Sequence, residues 1–306
     1  MRIAITGSSG LIGTALTGGL RAEGHEVLRL VRRSPGAADE IQWNPPAAAG
    51  DARAIAAAPP ALEGIDAAVN LAGAPIASGR WSAARKHEIR ASRIEGTTAL
   101  AATLAGLRKR PAALLSGSAI GWYGSTGDRL VDESASSGSG FLAGLARDWE
   151  ASTSAAEQAG IRVVHLRTGI VLAKNGGMLG KLLPLFRLGL GARLGPATQF
   201  MSWIMLAELV NAVSFLLANP DISGPVNLTT PNAVTNADFT AALADALGRP
   251  ARLRIPAPVL TLALNKAAND ILASARVRPA RLLSTSYAFQ HADIGAALAR
   301  ELRQRP

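Results

Sequence analysis

Residues Met1 to Gly13 read Met-Arg-Ile-Ala-Ile-Thr-Gly-Ser-Ser-Gly-Leu-Ile-Gly. Ile3, Ala4 and Ile5 form an apolar run without alternation, the pattern of a strand covered on both faces. Gly7, Gly10 and Gly13 follow at G-x-x-G-x-x-G spacing, and an amphipathic segment begins at Leu11. Each glycine has a physical task. The first turns the chain sharply, the second lets backbone N–H groups approach a pyrophosphate, and the third lets the helix sit close to the sheet. The helix N-terminus adds partial positive charge for the anion. A glycine triplet alone is weak, because loops collect glycines. Set between a strand and a helix, it predicts a dinucleotide-phosphate turn built from Gly7, Ser8, Ser9, Gly10, Leu11, Ile12 and Gly13.

Outward from this turn, Glu26–Val31 reads as a second strand ending in Arg32-Arg33. A site selective for NAD wants an acid here, roughly 20 residues beyond the glycines, to hold the ribose 2′-OH. The chain offers two arginines instead. A 2′-phosphate is a dianion and Arg pairs with phosphate bidentately, so Arg32 points to NADP(H), with Arg33 read as a solvated side chain.

Ile65–Leu71 is the next strand, running into Leu71, Ala72 and Gly73; strand ends of this kind face the crevice in doubly wound sheets. Ser82–Leu107 has helical periodicity and carries Arg93. Ala112–Ser116 reads as a strand entering the Gly117–Gly124 loop, Phe141–Ala159 as a helix, and Ile161–Leu166 as a strand leading into Arg167. Leu71, Ala72, Gly73, Arg93, Ser116 and Arg167 are taken as further cofactor-facing positions. The alternation implies an α/β fold, a Rossmann-like doubly wound parallel sheet.

Beyond Leu172 the pattern changes. Leu179–Leu188, Leu206–Ala218, Asn236–Leu247 and Pro258–Leu272 read as helices, Pro225–Thr229 as a late strand, and a terminal helix starts at Asp293. The Pro/Ala/Gly-rich Pro45–Pro60 reads as loop plus a short helix. The expected division is a cofactor domain over 1–172, with 206–230 returning to it. A smaller, mainly helical substrate or lid domain takes 173–205 and 231–306.

A chain of 306 residues with 48% hydrophobic and 18% charged residues can bury a full core. It has no Cys, which excludes thiol catalysis, disulfides and Cys-ligated zinc and fits a reducing cytoplasm. Met1 leads straight into a strand, so no targeting segment is expected, and no apolar run is long enough for a membrane span. The four histidines show no ligand spacing, and no metal is expected. The net charge of +10 comes from scattered arginines with no interleaved aromatics. This reads as a solvated basic surface that attracts phosphorylated small molecules, not a nucleic-acid face.

The pieces TGSSGLIG (Thr6–Gly13), NLAGAPIA (Asn70–Ala77), SGSAIGWYG (Ser116–Gly124), LRTGIVL (Leu166–Leu172), LGLGARLG (Leu188–Gly195), MSWI (Met201–Ile204) and GPVNLTTPNAVTN (Gly224–Asn236) run through nearly the whole chain. Together they resemble the atypical extended short-chain dehydrogenases/reductases, within them the epimerase-like 39U group. The resemblance implies a Rossmann-like domain, NADP(H), a family-specific C-terminal domain and a small-molecule substrate, and it is compatible with a homodimer. It gives a scaffold more firmly than an activity.

Ordinary members of that superfamily use Tyr-x-x-x-Lys, in which the Lys and the nicotinamide lower the Tyr pKa from about 10 so that it exchanges a proton near neutrality. Neither Tyr123 nor Tyr287 has a Lys four residues on, and Phe141 and Leu145 stand where the pair belongs. Ser118 and Tyr123 are the remaining catalytic candidates. Ser118 could hydrogen-bond a substrate oxygen or cap a loop; Tyr123 could donate a proton or wall the pocket. After MSWI the family has a His and two acids, whereas this chain has Met205, Leu206, Ala207 and Glu208. Two readings follow. One is an NADP(H)-binding oxidoreductase or epimerase-like enzyme acting on a small substrate, phosphorylated or nucleotide-linked. The other is an NADP(H)-binding sensor or scaffold without turnover.

Overall fold

The apolar run at the start of the chain becomes an inner strand of a parallel sheet. The computed structural model describes residues 1–44, 59–76, 81–255 and 272–303. Its principal sheet has seven strands: β1 (Arg2–Thr6), β2 (Glu26–Val31), β3 (Glu40–Gln42), β4 (Ala67–Asn70), β5 (Ala113–Ala119), β6 (Arg162–Thr168) and β7 (Gly224–Leu228). They lie in the order β7-β6-β5-β4-β1-β2-β3, every pair parallel. Strand order reverses between β1 and β4, the point where an open parallel sheet leaves a crevice beyond its carboxyl ends.

Helices cover both faces. α1 (Leu11–Ala22) and α5 (Leu206–Ala218) share one core with Ile3, Ile5, Val69, Leu115 and Val226. On the other face α2 (Ala83–Ala105) contributes Leu100 and Leu104 against Ala4, Leu28, Ala68 and Leu114. Adjacent residues of β1 thus feed opposite cores, which is why its sequence shows no alternation. The remaining helices used below are α3 (Phe141–Ala151), α4 (Gly177–Arg187), α6 (Asn236–Leu247) and α7 (Ile294–Arg303). Among the described residues no helix is long and apolar enough to cross a membrane.

The C-terminal unit grows out of the sheet's carboxyl end. After β6 and Gly169 the chain continues as Ile170–Ala173, which pairs in parallel with Trp203–Met205. Trp203, Phe186, Leu179, Phe239, Leu243 and Leu298 form its core. α6 starts with a capping box: Thr235 accepts from the Asp238 amide while the Asp238 carboxylate accepts from Thr235.

Some element bounds differ from expectation, and other expectations fall outside the described residues. The strand expected to end at Ser116 runs to Ala119, because β6 extends beside it as far as the Ala119–Thr168 pair. The helix expected over Phe141–Ala159 is broken after Ala151. There Ser152 and Thr153 hydroxyls bond back to the carbonyls of Asp148, Trp149 and Glu150, competing with the helical ladder. The loop and helix expected over Pro45–Pro60 and the helix over Pro258–Leu272 fall almost wholly outside the described residues, as does Ala77.

Gly13 shows how tightly the first turn is packed. A Cβ there would sit 2.2 Å from the Gly7 carbonyl oxygen and 2.7 Å from the Ser8 Cα, both fixed backbone. Gly13→Ala is expected to destabilise the protein by about 1–3 kcal/mol through overpacking. Urea unfolding checks this, with Gly18→Ala as the control, since a Cβ at Gly18 meets nothing within 4 Å.

Candidate functional site

A cleft of about 790 Å³ opens at the carboxyl ends of β1, β2 and β4. Its floor is the turn Thr6–Gly10, facing Leu71, Ala72 and Gly73 on the neighbouring strand end. Gly7 has φ +68°, and a Cβ on it would lie 2.6 Å from the Leu71 carbonyl carbon, so conformation and clearance both demand glycine. Thr6 and Asn70 are paired across the two strands, and the Thr6 hydroxyl joins their ends. It donates to Asn70 Oδ1 (2.6 Å) and accepts from the amides of Leu71 (3.2 Å) and Ala72 (3.3 Å). Asn70 in turn donates to Thr97 of α2 at 2.8 Å. α1 starts at Leu11 with Gly10 as its N-cap and no side-chain cap. Its first amides therefore stay available to an anion.

Gly7, Ser8, Ser9, Gly10, Arg32, Leu71, Ala72 and Gly73 line this cleft as the sequence reading placed them. Leu11, Ile12 and Gly13 form the helical turn behind it. Sequence reasoning missed the wall supplied by α2, where Glu88, Ser92 and Gly96 recur at four-residue spacing with Ala91 and Glu95 beside them. The signal was present in that small-residue stripe. It also missed Trp43 and the acids Asp39 and Glu40 beside the β2 edge.

Those acids sort the arginines. Asp39 accepts from Arg29 at 2.5 and 2.8 Å and also from Arg21. The Arg29 hydrogen bond, reinforced by Arg21, holds the Asp39 carboxyl well below the usual carboxylate range. Glu40 takes both arms of Arg33 at 2.7 and 2.6 Å and the Gly36 amide at 2.7 Å, and these hydrogen bonds depress its pKa. Arg33 is thus committed to Glu40, not merely solvated. Arg32 is exposed and has no hydrogen-bond or ion-pair partner among the described residues. Among the described residues it is the arginine of this edge left without a partner.

Ser116, Ser118, Tyr123, Arg93 and Arg167 stand apart from the cleft wall. Ser118 and Tyr123, only 4% and 3% exposed, belong to one buried polar network. Ser118 donates to Glu150 Oε1 at 2.6 Å, and Arg167 binds both Glu150 oxygens at 2.8 and 2.9 Å. Arg167 also donates to the Tyr123 hydroxyl at 3.0 Å, which donates to Asn227 Oδ1 at 2.8 Å. The Asn227 amide donates to Glu133 at 2.9 Å, and the Trp122 ring covers the Arg167 guanidinium at 3.9 Å. Burial pushes the Tyr123 phenol up, and the Arg167 charge offsets this only in part. Burial alone would lower the Arg167 pKa, but the paired Glu150 carboxylate outweighs it and the net shift is upward. In this conformation both hydroxyls are satisfied inside the protein, and neither lines the cleft.

Arg93 lies directly beneath the cleft. A Cβ on Gly73 would sit 3.0 Å from its Cζ, and it donates to the carbonyls of Ala74 (3.0 Å) and Ile89 (3.2 Å). Its guanidinium rests 5.1 Å from the Trp149 ring, and its buried Nε has no partner. Desolvation, with the Arg85 charge second, brings its pKa down to about 10.

Comparison with known proteins names the class that this geometry defines. The NAD dependent epimerase/dehydratase family matches residues 3–228, and a domain of unknown function, DUF1731, matches residues 255–301. The chain belongs to that epimerase family. It is 48% identical to the epimerase family protein Mb2239 of Mycobacterium bovis, over 97% of this chain and 96% of that protein. Against human SDR39U1 the identity is 35%, over 97% of this chain and 98% of that one. The crystal structure of human SDR39U1 (isoform 2) with NADPH superposes with TM-score 0.90 at 33% identity, covering 99% of this chain and 100% of that one. A nucleoside-diphosphate sugar epimerase from Corynebacterium glutamicum matches with TM-score 0.77 and 37% identity over 99% of this chain and 58% of that one.

Two predictions follow from the buried network. Glu150→Ala leaves Arg167 buried without its carboxylate and is expected to cost about 3–5 kcal/mol, read by urea unfolding. His165 hydrogen-bonds Thr153 at 3.0 Å, and burial lowers its pKa although Glu150 and Glu157 oppose the shift. A base whose folded-state pKa is lowered contributes stability that is full above its unfolded pKa of about 6.5 and is lost as pH falls. Stability should therefore drop between pH 7.5 and 5.5, and His165→Gln should flatten that slope.

Proposed function

We propose that this chain is an NADP(H)-binding oxidoreductase or epimerase-like enzyme acting on a small substrate, phosphorylated or nucleotide-linked. The observation that carries this reading is the division of arginines at the β2 edge: Arg29 and Arg33 are neutralised by Asp39 and Glu40, and Arg32 is left free at the cleft. The uncapped start of α1 and the glycine turn fit a pyrophosphate, and the cleft is large enough for a dinucleotide. Human SDR39U1, similar along its whole length, has been crystallised with NADPH.

When bound, the nicotinamide would supply hydride donation or acceptance. In this reading the Gly7–Gly13 turn holds the pyrophosphate with backbone amides, and Arg32 pairs with the 2′-phosphate. Leu71, Ala72 and Gly73 pack along the dinucleotide, and Arg93 adds positive charge under that loop. Tyr-x-x-x-Lys is absent and the Tyr123 hydroxyl is engaged by Arg167 and Asn227, so water in the open cleft serves as the proton source. Ser118, Tyr123, Ser116 and Arg167 then act as positioning residues that fix the carboxyl ends of β5 and β6.

Calorimetric titration with NADPH and NADH, on the wild type and on Arg32→Ala, tests the reading. NADPH is expected to bind at least tenfold more tightly than NADH, and Arg32→Ala to abolish most of that preference. Equal affinities in the wild type would overturn it.

A further inference from the structure

We propose that Arg193 and Arg254 together form a binding site for a phosphate group of the substrate. The proposal rests on the enzyme reading above and names the part of the C-terminal unit that holds the substrate's charge. Ala192–Leu194 and Leu253–Ile255 pair in parallel, with Arg193 directly opposite Arg254. Residues opposite each other in a parallel ladder project from the same face, and the strands lie about 4.8 Å apart. Two guanidinium-bearing side chains therefore start side by side.

Like charges so placed normally recruit an acid. Several arginines of this molecule do so: Arg33 has Glu40, Arg90 has Asp148 and Arg167 has Glu150. Neither Arg193 nor Arg254 has a carboxylate or any other hydrogen-bond partner among the described residues, and the Arg193 Nε is buried without one. A buried guanidinium N–H left unmade is costly, and an anion held by the outer nitrogens of the same fork would offset that side chain's uncompensated charge. Two planar forks on one face suit a tetrahedral dianion better than a single carboxylate.

The pair is also held firmly. The Gly195 amide donates to the Ile255 carbonyl at 3.0 Å, extending the ladder, and Asn236 at the start of α6 donates to the carbonyls of Leu194 (2.6 Å) and Pro196 (3.2 Å). Arginine stems on such a base lose little freedom on binding. The unit that carries them continues directly from the carboxyl end of β6. Before α4 it also abuts the cofactor turn, where a Cβ on Gly176 would lie 2.8 Å from the Leu11 side chain. The ligand class is a phosphate ester or diphosphate on a small molecule that also reaches the crevice.

The test is calorimetry on the full chain saturated with NADPH, so that the cofactor's own phosphate positions are filled, with pyrophosphate and inorganic phosphate as probes. Wild type is expected to bind at least one of them. Arg193→Gln and Arg254→Gln should each weaken that binding at least tenfold while NADPH affinity stays within twofold. The exposed Arg254 keeps the test decisive if the Arg193 variant does not fold. No binding of either probe to the loaded wild type, or equal binding by the double variant, would overturn the proposal. The same titrations on protein without NADPH separate the two readings. Failure of NADPH to bind would sink the cofactor assignment, while an anion affinity still lost in Arg254→Gln would sustain the arginine site.

Discussion

The close approach of two strand ends governs this structure. Thr6 and Asn70 are neighbours across β1 and β4, and the chain leaves each strand in a different direction. Gly7 turns up at φ +68° against the Leu71 backbone, and the Thr6 hydroxyl holds the Leu71 and Ala72 amides. The crevice exists because these two departures diverge from one shared hydrogen-bonded point. Thr97 and Trp149 extend the anchorage, since both Asn70 and the Trp149 indole donate to the Thr97 hydroxyl. The floor of the cleft is thereby braced by α2 and α3 as well as by the sheet.

A second polar system lies deeper, around Glu150 and Arg167. An ion pair buried to this extent is weak evidence for added stability, because desolvation offsets most of the attraction. Its value is geometric. One guanidinium touches the carboxylate of α3, the hydroxyl of Tyr123 and the face of Trp122, so β5, β6 and the turn after β5 are locked in one arrangement. Where a typical reductase of this superfamily spends its tyrosine on proton transfer, this chain spends Tyr123 on the interior. The helix where that superfamily's Tyr–Lys pair belongs carries Phe141 instead, packed edge-on against Trp81 at 5.3 Å.

Much of this was legible in the sequence, for a physical reason. Glycine spacing, strand runs and caps are local signals, so the α/β class, the glycine turn, the start of α1 and the bounds of α5 and α6 could be read from neighbouring residues. What could not be read were pairings between distant residues. Arg33 looks as solvent-facing as Arg32 until Glu40 is seen beside it. Ser118 and Tyr123 look like pocket residues because they follow a strand. Only the positions of Glu150 and Asn227, 32 and 104 residues further on, show that both hydroxyls are already engaged. The break after Ala151 was hidden in the same way by apolar periodicity that continues through Ala156.

The direct continuation of β6 into Ile170–Ala173 has a consequence for how such a protein can be divided. The segment between Gly169 and α5 forms much of the C-terminal unit, yet α5 and β7 then return to the main sheet, with β7 hydrogen-bonded along β6. The second unit is thus an insertion in the sheet's last crossover, prolonged by the chain after β7, and not a module appended to a finished domain. A fragment ending at residue 172 would lack β7 and leave a long apolar strand edge unpaired, a template for aggregation. The two units thus share one continuous topology, and neither is closed by the chain before the other has been threaded through it.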